Sequence, residues 1–350
     1  MAGRVKVLIV DDSAYMRVVL KDMLESDSNI TIVGSAKDGV EGVDKTRLLS
    51  PDVVLLDIQM PRMDGVATLQ RIMKECPTRV IMLSAMDKMD GQLPLRALEL
   101  GAVDFISKPS GPVSIDIVNY RERIIEIVKT SSSARVDVLK KARAPLPSKI
   151  RPPRREQPNG FKAIVLGASI GGPRALEVIF AALPRELPAP FFIVQHIPGE
   201  FSDIFARRLD SAQGPKVILA SEGQKVERGI AYLAPGGKHL KLGWRGATSL
   251  VTKLDDGDPV NFVKPSADVL FASAAECLGE RVLAIVLTGM GRDGTEGAKA
   301  IVAAGGKVIA QDEDSCVASG MPGSVCEAGA ATKVLALEEI PKEIIKFLEE

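Results

Sequence analysis

Short apolar runs alternate with segments of helical periodicity along most of this 350-residue sequence. Because consecutive strands joined by helices run parallel, this alternation predicts α/β domains in which helices cover both faces of a parallel sheet. The length predicts two such domains, each large enough to bury its own core. The first alternation has strand-like runs at 4–10, 30–36, 53–56, 80–83 and 103–106. A second alternation begins at Phe161.

A basic, proline-rich stretch separates the two alternations. Residues 130–160 hold five prolines, and eight lysines and arginines against two acidic residues. This composition is typical of a solvated linker, although docking to a partner stays open as an alternative. We therefore expect domains at 1–128 and 161–350, joined by a linker at 129–160.

Charge balance, motifs and hydropathy give no pointer to a nucleic-acid or membrane partner. Lysine and arginine total 45, as do aspartate and glutamate, so net charge does not point to nucleic acid. The second half has no helix-turn-helix pattern, and no run of about 18 apolar residues predicts a membrane span. The amino terminus lacks the apolar region of a signal peptide. We expect a cytoplasmic, monomeric protein without membrane insertion.

Polar residues follow four strands of the first predicted sheet. Because the carboxyl ends of parallel strands share one edge, we expect these side chains to converge. The group consists of Asp11, Asp12, Asp57, Ser84 and Lys108. Clustered carboxylates favour a bound cation, and hard oxygen ligands suit Mg²⁺. A lysine supplies positive charge for phosphate, and a central carboxylate can itself attack phosphorus.

These residues resemble the receiver domain of two-component response regulators, which has a flavodoxin-like fold. The resemblance covers residues 4 to about 125 and rests on Asp11-Asp12-Ser13, Asp57 with Met60-Pro61 and Met63-Asp64-Gly65, Ser84-Ala85, and Lys108-Pro109. It implies that Asp57 accepts a phosphoryl group from a histidine kinase. It further implies that Mg²⁺ binds Asp11, Asp12, Asp57 and the backbone carbonyl of Gln59. Ser84, Phe105 and Lys108 would sense the phosphoryl group.

The second alternation opens with an apolar run, 163–166, that leads into Gly167-Ala168-Ser169 and then Gly171-Gly172-Pro173. A helical pattern follows at once, which predicts a strand, a tight turn and a helix start. Such a turn can expose the Ser169 hydroxyl as a nucleophile. A phosphate-binding loop or a plain turn remains an alternative at this point.

A serine nucleophile needs a base and a group that orients the base. The chain has two histidines, and His196 follows a strand at the same predicted sheet edge as Ser169. His239 lies in a hairpin that is predicted around Pro235-Gly236-Gly237. Asp293 lies in a glycine-rich loop after the strand 282–287. Asp203, Asp210, Asp312 and the 255–258 cluster are less well placed acids. Cys316, in a polar stretch, remains a second possible nucleophile.

The second half resembles the catalytic domain of the CheB family of chemotaxis protein-glutamate methylesterases. The matching strings are Gly167-Ala168-Ser169 with Gly171-Gly172-Pro173, Gln195-His196-Ile197-Pro198, Ala234-Pro235-Gly236-Gly237 with His239, and Leu287 to Gly294. The resemblance implies a doubly wound parallel α/β domain with a small β-hairpin insertion. It implies Ser169 as nucleophile, His196 as base, Asp293 as its orienting acid and the Met290 N–H as an oxyanion donor.

The implied substrates are methyl-esterified glutamates of chemoreceptors, which would be hydrolysed with release of methanol, and receptor glutamines, which would be deamidated. No cofactor is expected for the esterase reaction. The resemblance also implies that phosphorylation relieves a block that the receiver domain imposes on the active site. A receiver that drives a catalytically silent adaptor is the main rival interpretation.

Two positions depart from the family pattern. Ile170 follows the nucleophile where the family often has threonine, so no hydroxyl is available there. Phe262-Val263 stands where the family usually has Arg-His in a segment on the substrate side. These departures leave the expected triad intact but predict that the protein binds the receptor through different contacts, with Lys264 as a candidate contact.

Overall fold

The computed structural model describes residues 4–84, 92–108, 116–135, 150 and 162–350. The chain divides into two compact units, Met1–Ala144 and Pro145–Glu350. Most of the predicted linker lies outside the described residues, so its boundaries stay a prediction. Within the described residues, no helix is both long enough and apolar enough to cross a membrane.

The first unit is a five-stranded parallel sheet with the strand order β2-β1-β3-β4-β5. Its strands are β1 (Val5–Val10), β2 (Ile30–Ala36), β3 (Val53–Asp57), β4 (Arg79–Ser84) and β5 (Asp104–Ser107). Its helices are α1 (Ala14–Glu25), α2 (Gly39–Leu49), α3 (Gly65–Glu75), α4 (Gln92–Glu99) and α5 (Asp116–Ser132). The flavodoxin-like prediction for this unit is confirmed.

Side-chain caps fix where the first three helices of this unit begin. The Ser13 hydroxyl accepts a hydrogen bond from the Met16 N–H, and Asp38 and Asp64 cap α2 and α3 in the same way. Strand β3 is buried along its whole length, as expected for the central strand of a sheet covered on both faces. The polar loops after the strands therefore lie at one edge of a rigid sheet.

The second unit contains a seven-stranded parallel sheet with the order β14-β13-β12-β6-β7-β9-β8. These strands are β6 (Ala163–Ala168), β7 (Phe191–Gln195), β8 (Lys216–Leu219), β9 (Ile230–Leu233), β12 (Val282–Val286), β13 (Lys307–Gln311) and β14 (Lys333–Leu335). The helices are α6 (Gly172–Ala182), α7 (Ser202–Ser211), α8 (Ala267–Leu278), α9 (Thr295–Ala303), α10 (Gly320–Glu327) and α11 (Ile340–Glu349). This architecture confirms the predicted doubly wound fold.

An antiparallel hairpin, β10 (His239–Arg245) and β11 (Ser249–Asp255), is inserted between β9 and α8. Its turn lies at 246–248, so the glycine pair at 236–237 leads into the hairpin and does not form its turn. Leu240 of the hairpin, Phe271 of α8 and Phe192 of the sheet belong to one buried apolar cluster. Each fully buried side chain of this kind contributes about 1.5–3 kcal/mol, so the hairpin holds α8 against the sheet.

Candidate active site

The turn after β6 holds Ser169 at the sheet edge. The Ser169 N–H donates to the Thr288 carbonyl (3.1 Å), and the Gly172 N–H donates to the Ser169 carbonyl (2.8 Å). The Gln195 side-chain amide donates to the same carbonyl (2.9 Å). Gly171 has φ of +75°, a left-handed conformation that favours glycine. Three hydrogen bonds therefore fix the backbone of a serine that is 9% exposed.

The loop after β12 lies directly against this serine. A Cβ atom added to Gly289 would lie only 2.8 Å from the Ser169 Cβ, so a side chain at this position would displace the serine. The Gly289 N–H donates to the Ala318 carbonyl (2.9 Å), which anchors the loop. The next N–H, that of Met290, donates no hydrogen bond within the described part of the chain. This free donor is the type of group that stabilises an oxyanion.

His196 emerges beside Ser169 because their strands are neighbours. Ala168 pairs with Gln195 in the parallel β6–β7 register, so the next residue on each strand leaves the sheet at the same level. The His196 side chain is 8% exposed, and its Nε2 lies 2.8 Å from Oδ2 of Asp293. The structure therefore brings the three predicted triad residues to one edge of the sheet, and Nδ1 is the ring nitrogen that Asp293 leaves free.

Asp293 is almost fully buried and is held at the amino terminus of α8. Besides His196, its carboxylate accepts hydrogen bonds from the Ser266 hydroxyl (2.5 Å), the Ala267 N–H (2.6 Å) and the Asp268 N–H (3.2 Å). Burial opposes ionisation, but the hydrogen bonds from His196, Ser266 and Ala267 outweigh it and keep the pKa of Asp293 below its ordinary value. The carboxylate is therefore ionised and fixed in position.

The other histidine, His239, supports this arrangement indirectly through Ser266. His239 is 2% exposed; its Nδ1 accepts from the Ser266 N–H (3.1 Å), and its Nε2 donates to the Asp258 carbonyl (3.0 Å). Both ring nitrogens are thus engaged by backbone groups. The geometry gives His239 a positioning role through Ser266 and leaves His196 as the histidine beside the serine.

The alternative acids and the alternative thiol have other environments. Asp210 accepts from the Val217 N–H (3.0 Å), and Asp312 accepts from the Ser315 N–H (2.9 Å). Burial raises the pKa of Cys316 to about 12, so this thiol is protonated at neutral pH. None of these groups bonds His196 in the described part of the chain, which leaves Asp293 as its acidic partner.

The receiver unit gathers its predicted acidic residues into a pocket. Ligand oxygens of Asp11, Asp12 and Asp57 lie within 4.8 Å of one another. The Lys108 ammonium lies 2.7 Å from Asp11 Oδ2 and 2.9 Å from Asp57 Oδ2. Burial raises the pKa of Asp57 to about 6 despite this lysine. Burial lowers the pKa of Lys108, but its bonds to Asp11 and Asp57 raise it overall. Three converging carboxylates fit a hard divalent cation such as Mg²⁺.

Of the remaining predicted receiver residues, Ser84 and Gln59 contact residues of this pocket. Ser84 ends β4 and is buried, and its carbonyl accepts from the Lys108 N–H (2.6 Å). Phe105 on β5 is 4% exposed. The Gln59 N–H donates to Oδ1 of Asp57 (3.4 Å), so the backbone of this residue, two positions after Asp57, lies beside the central carboxylate. Ala85 and Pro109, which belong to the quoted motifs, lie outside the described residues.

Comparisons with known proteins match both units. Residues 164–344 match the family model described as CheB methylesterase, and residues 7–117 match the one described as response regulator receiver domain. A protein-glutamate methylesterase/protein-glutamine glutaminase of Halalkalibacterium halodurans is 42% identical over 346 residues, which is 99% of each chain. This chain belongs to the CheB methylesterase family.

Two further relatives of this CheB-family protein align with it over nearly their full length. A protein of the same description from Thermotoga maritima is 41% identical over 98% of each chain. The crystal structure of the Thermotoga maritima CheB methylesterase catalytic domain is 42% identical, with a TM-score of 0.52; it covers 53% of this chain and 98% of that one. The resemblance to the CheB family that the sequence motifs indicated is therefore confirmed.

The structure shows the environments of the two departures of this CheB-family chain and of Lys264. Ile170 is 1% exposed, so its side chain lies in the interior. The ammonium of Lys264 donates to the carbonyls of Gly257 (3.1 Å) and Asp256 (3.3 Å). Phe262, in contrast, is 91% exposed. The large apolar group of the substituted segment therefore faces solvent.

Sequence reasoning missed several residues that build this CheB-family site. Ser266 links His239 to Asp293, and Gln195 and Thr288 bond the backbone of the turn that carries Ser169. A signal for Ser266 was present, because a serine before Ala267-Asp268 at a predicted helix start is typical of a cap. In the structure its hydroxyl bonds the Asp293 carboxylate, a contact between residues 27 positions apart.

Proposed function

We propose that this CheB-family protein hydrolyses glutamate methyl esters on chemoreceptors, releases methanol and also deamidates receptor glutamines. The names of its full-length relatives support both activities. The observation that carries the catalytic assignment is the 2.8 Å contact between His196 Nε2 and Asp293 Oδ2, beside Ser169 at the sheet edge. A buried carboxylate that orients an imidazole next to a serine is the arrangement that acyl transfer requires.

In the first half of the reaction, the Ser169 oxygen attacks the ester carbonyl carbon. Nδ1 of His196 takes the hydroxyl proton, while Nε2–H stays bonded to ionised Asp293, which stabilises the imidazolium. The carbonyl oxygen becomes an oxyanion, which the free Met290 N–H stabilises. Collapse of this intermediate breaks the bond to the methoxy oxygen, which takes the proton from His196 and leaves as methanol. The product is a glutamyl ester of Ser169.

In the second half, water attacks the glutamyl ester. His196 accepts a proton from the water and returns it to the Ser169 oxygen as the acyl bond breaks. The receptor glutamic acid that forms releases its proton to solvent as a carboxylate, and the enzyme returns to its starting state. When the substrate is a glutamine, the same first half expels ammonia in place of methanol, and the same acyl-enzyme is hydrolysed.

In the receiver unit, the Asp57 carboxylate accepts the phosphoryl group from a chemotaxis histidine kinase. Asp11, Asp12, Asp57 and the Gln59 backbone carbonyl would hold Mg²⁺, which offsets the negative charge of the incoming phosphoryl group. Lys108, now bonded to Asp57, would pair with the phosphoryl oxygens. The phosphoryl charge thereby changes the environment of Ser84 and Phe105, the other two sensing positions.

Phosphorylation regulates the esterase by changing the population of an inhibited state. A phosphoryl charge can do so when the inhibited and active states differ by only a few kcal/mol. Proteins that act on receptor cytoplasmic regions work in the cytoplasm, and we propose this location here. We further propose that the protein acts as a monomer and binds neither nucleic acid nor the membrane interior.

Methanol release from methylated receptor membranes tests this function. We expect the full-length protein to release methanol and to do so faster after addition of a small-molecule phosphodonor with Mg²⁺. Asp57→Asn provides the matched control, which keeps basal release but loses the stimulation. Methanol release no greater than that of membranes alone would contradict the proposed activity.

A further inference from the structure

A two-residue hairpin turn lies next to the triad carboxylate. Val260 and Val263 form an isolated antiparallel bridge in which each N–H donates to the carbonyl of the other (3.1 Å both ways). Asn261 and Phe262 connect them with φ values of +53° and +63°. A two-residue loop with positive φ at both positions is typical of a type I′ turn, in which Asn-Gly is strongly preferred. Phe262 therefore occupies the position that favours glycine.

This placement is unfavourable for Phe262 in two independent ways. A bulky L-residue with positive φ is a genuine backbone outlier, and such outliers persist where the surrounding structure holds them. The side chain is also 91% exposed, so it gains almost nothing from burial in the folded chain. A single exposed apolar residue is ordinary on a protein surface. An exposed apolar residue that is held in a strained conformation beside the triad needs a functional explanation.

The turn is fastened to the catalytic machinery through Asn261. Its side-chain amide donates to Asp268 Oδ2 (2.7 Å) and to Asp293 Oδ1 (3.3 Å). Asp293 in turn bonds the imidazole of His196. Asn261 thus fixes the turn relative to the reacting groups, and the next residue projects its ring into solvent at the rim of the site.

We infer that Phe262 is a substrate-recognition residue that packs on an apolar side chain of the receptor polypeptide, next to the glutamyl ester being cleaved. This inference rests on the proposed function and names how that substrate is held. An ester at the end of a flexible glutamyl side chain offers few contacts of its own, so neighbouring residues must supply binding energy. Burial of an exposed phenyl ring on such a neighbour supplies it at a fixed distance from Ser169.

The test compares two substrates in the full-length protein. One is methylated receptor membrane, and the other is the γ-methyl ester of N-acetylglutamate amide, which lacks neighbouring residues. For Phe262→Gly we expect the ratio of receptor to small-ester kcat/KM to fall about tenfold, because an apolar contact is lost. The same variant should raise Tm by roughly 2–4 °C, because glycine relieves the strained turn.

Three further variants separate recognition from structure. Phe262→Asn tolerates positive φ but is polar, so it should also raise Tm and lower the ratio. Phe262→Leu keeps an apolar group and should retain most of the ratio. Val334→Ala changes another exposed apolar residue, 53% exposed on β14, and should change neither quantity.

The outcomes distinguish this inference from the proposed function. An unchanged substrate ratio in Phe262→Gly, with or without a gain in Tm, overturns the role in recognition. An equal fall in kcat/KM for both substrates also overturns it, and would show that the turn acts by supporting Asp293. A wild-type protein that cleaves the small ester but releases no methanol from receptors contradicts the proposed receptor substrate itself.

Discussion

Nε2 of His196 lies 2.8 Å from Oδ2 of Asp293, which leaves Nδ1 as the imidazole nitrogen available for proton transfer. The carboxylate does more than orient this ring. It also accepts hydrogen bonds from the Ser266 hydroxyl and the first N–H groups of α8, so one buried charge joins the proposed catalytic base to the amino terminus of a helix. Activity and stability should therefore depend on the same residue.

Replacement of Asp293 by asparagine should damage both properties. The amide cannot stabilise an imidazolium, and by analogy with other triads kcat should fall about 10³–10⁴-fold. The loss of charge-assisted hydrogen bonds from Ser266 and the helix should reduce the free energy of unfolding by about 2–4 kcal/mol at pH 7. Methanol release and denaturant unfolding of the Asp293→Asn protein measure the two effects.

The stability effect has a defined pH dependence. Because the pKa of Asp293 is lowered in the folded state, its contribution is present above the pKa of the unfolded chain and is lost as pH falls through the folded value. The difference between wild type and Asp293→Asn should therefore shrink below about pH 4. A difference that stays constant from pH 7 to pH 3 would be inconsistent with an ionised, hydrogen-bonded Asp293.

His239 should contribute to catalysis only by positioning Ser266 and, through it, Asp293. His239→Asn retains an acceptor near the place of Nδ1, whereas His239→Gln retains a donor near the place of Nε2. Because the Nδ1 acceptor holds the Ser266 N–H and thereby Asp293, we expect the asparagine variant to keep more kcat than the glutamine variant. Both should lose about 1–3 kcal/mol of stability, since each leaves one buried group unpaired.

Steady-state methanol release and denaturant unfolding of the two His239 variants make the comparison. KM for the receptor should change little in either variant, because His239 does not face the substrate. Equal kcat in both variants would show that support of Ser266 does not limit catalysis.

The receiver pocket should bind Mg²⁺ in competition with protons. Burial raises the pKa of Asp57 to about 6, and a protonated carboxyl neither binds the metal nor attacks phosphorus. Below pH 6 the apparent affinity for Mg²⁺ should therefore weaken by up to about tenfold per pH unit, with proton release on binding. Calorimetric titration at pH 5 and pH 7.5, in buffers of different ionisation enthalpy, measures both quantities.

Asp57→Asn is the control for this titration. It should lose labelling by a small-molecule phosphodonor and also the pH dependence of Mg²⁺ affinity near pH 6. Undiminished labelling of the variant would remove Asp57 as the phosphoacceptor. A pH dependence that persists in the variant would assign the titrating group to another residue.

Much of the fold could be predicted because parallel α/β sheets place polar groups at strand ends. Asp57, Ser169 and His196 each follow a buried apolar run, and that pattern alone fixed the sheet edge where each lies. The hairpin was predicted as well, but its turn was not located, because the glycine pair at 236–237 is a stronger turn signal than 246–248.

The finer geometry of the site depends on contacts between distant residues. Which nitrogen of His196 faces Asp293 follows from side-chain orientation, and a linear sequence carries no signal for it. The role of His239 depends on Ser266, 27 positions away, and emerges only when the hairpin and α8 pack together. The conformation of Phe262 contradicts local turn preference, so turn propensities alone do not predict a two-residue turn with positive φ at Asn261-Phe262.

The most direct test of the central claim is methanol release from methylated receptor membranes by Ser169→Ala, measured beside phosphodonor labelling of Asp57 in the same preparation. Labelling reports that the receiver unit is folded and active. We predict that the variant is labelled like wild type but releases methanol at no more than about 1/1000 of the wild-type rate. Undiminished methanol release from Ser169→Ala would contradict the assignment of Ser169 as the nucleophile.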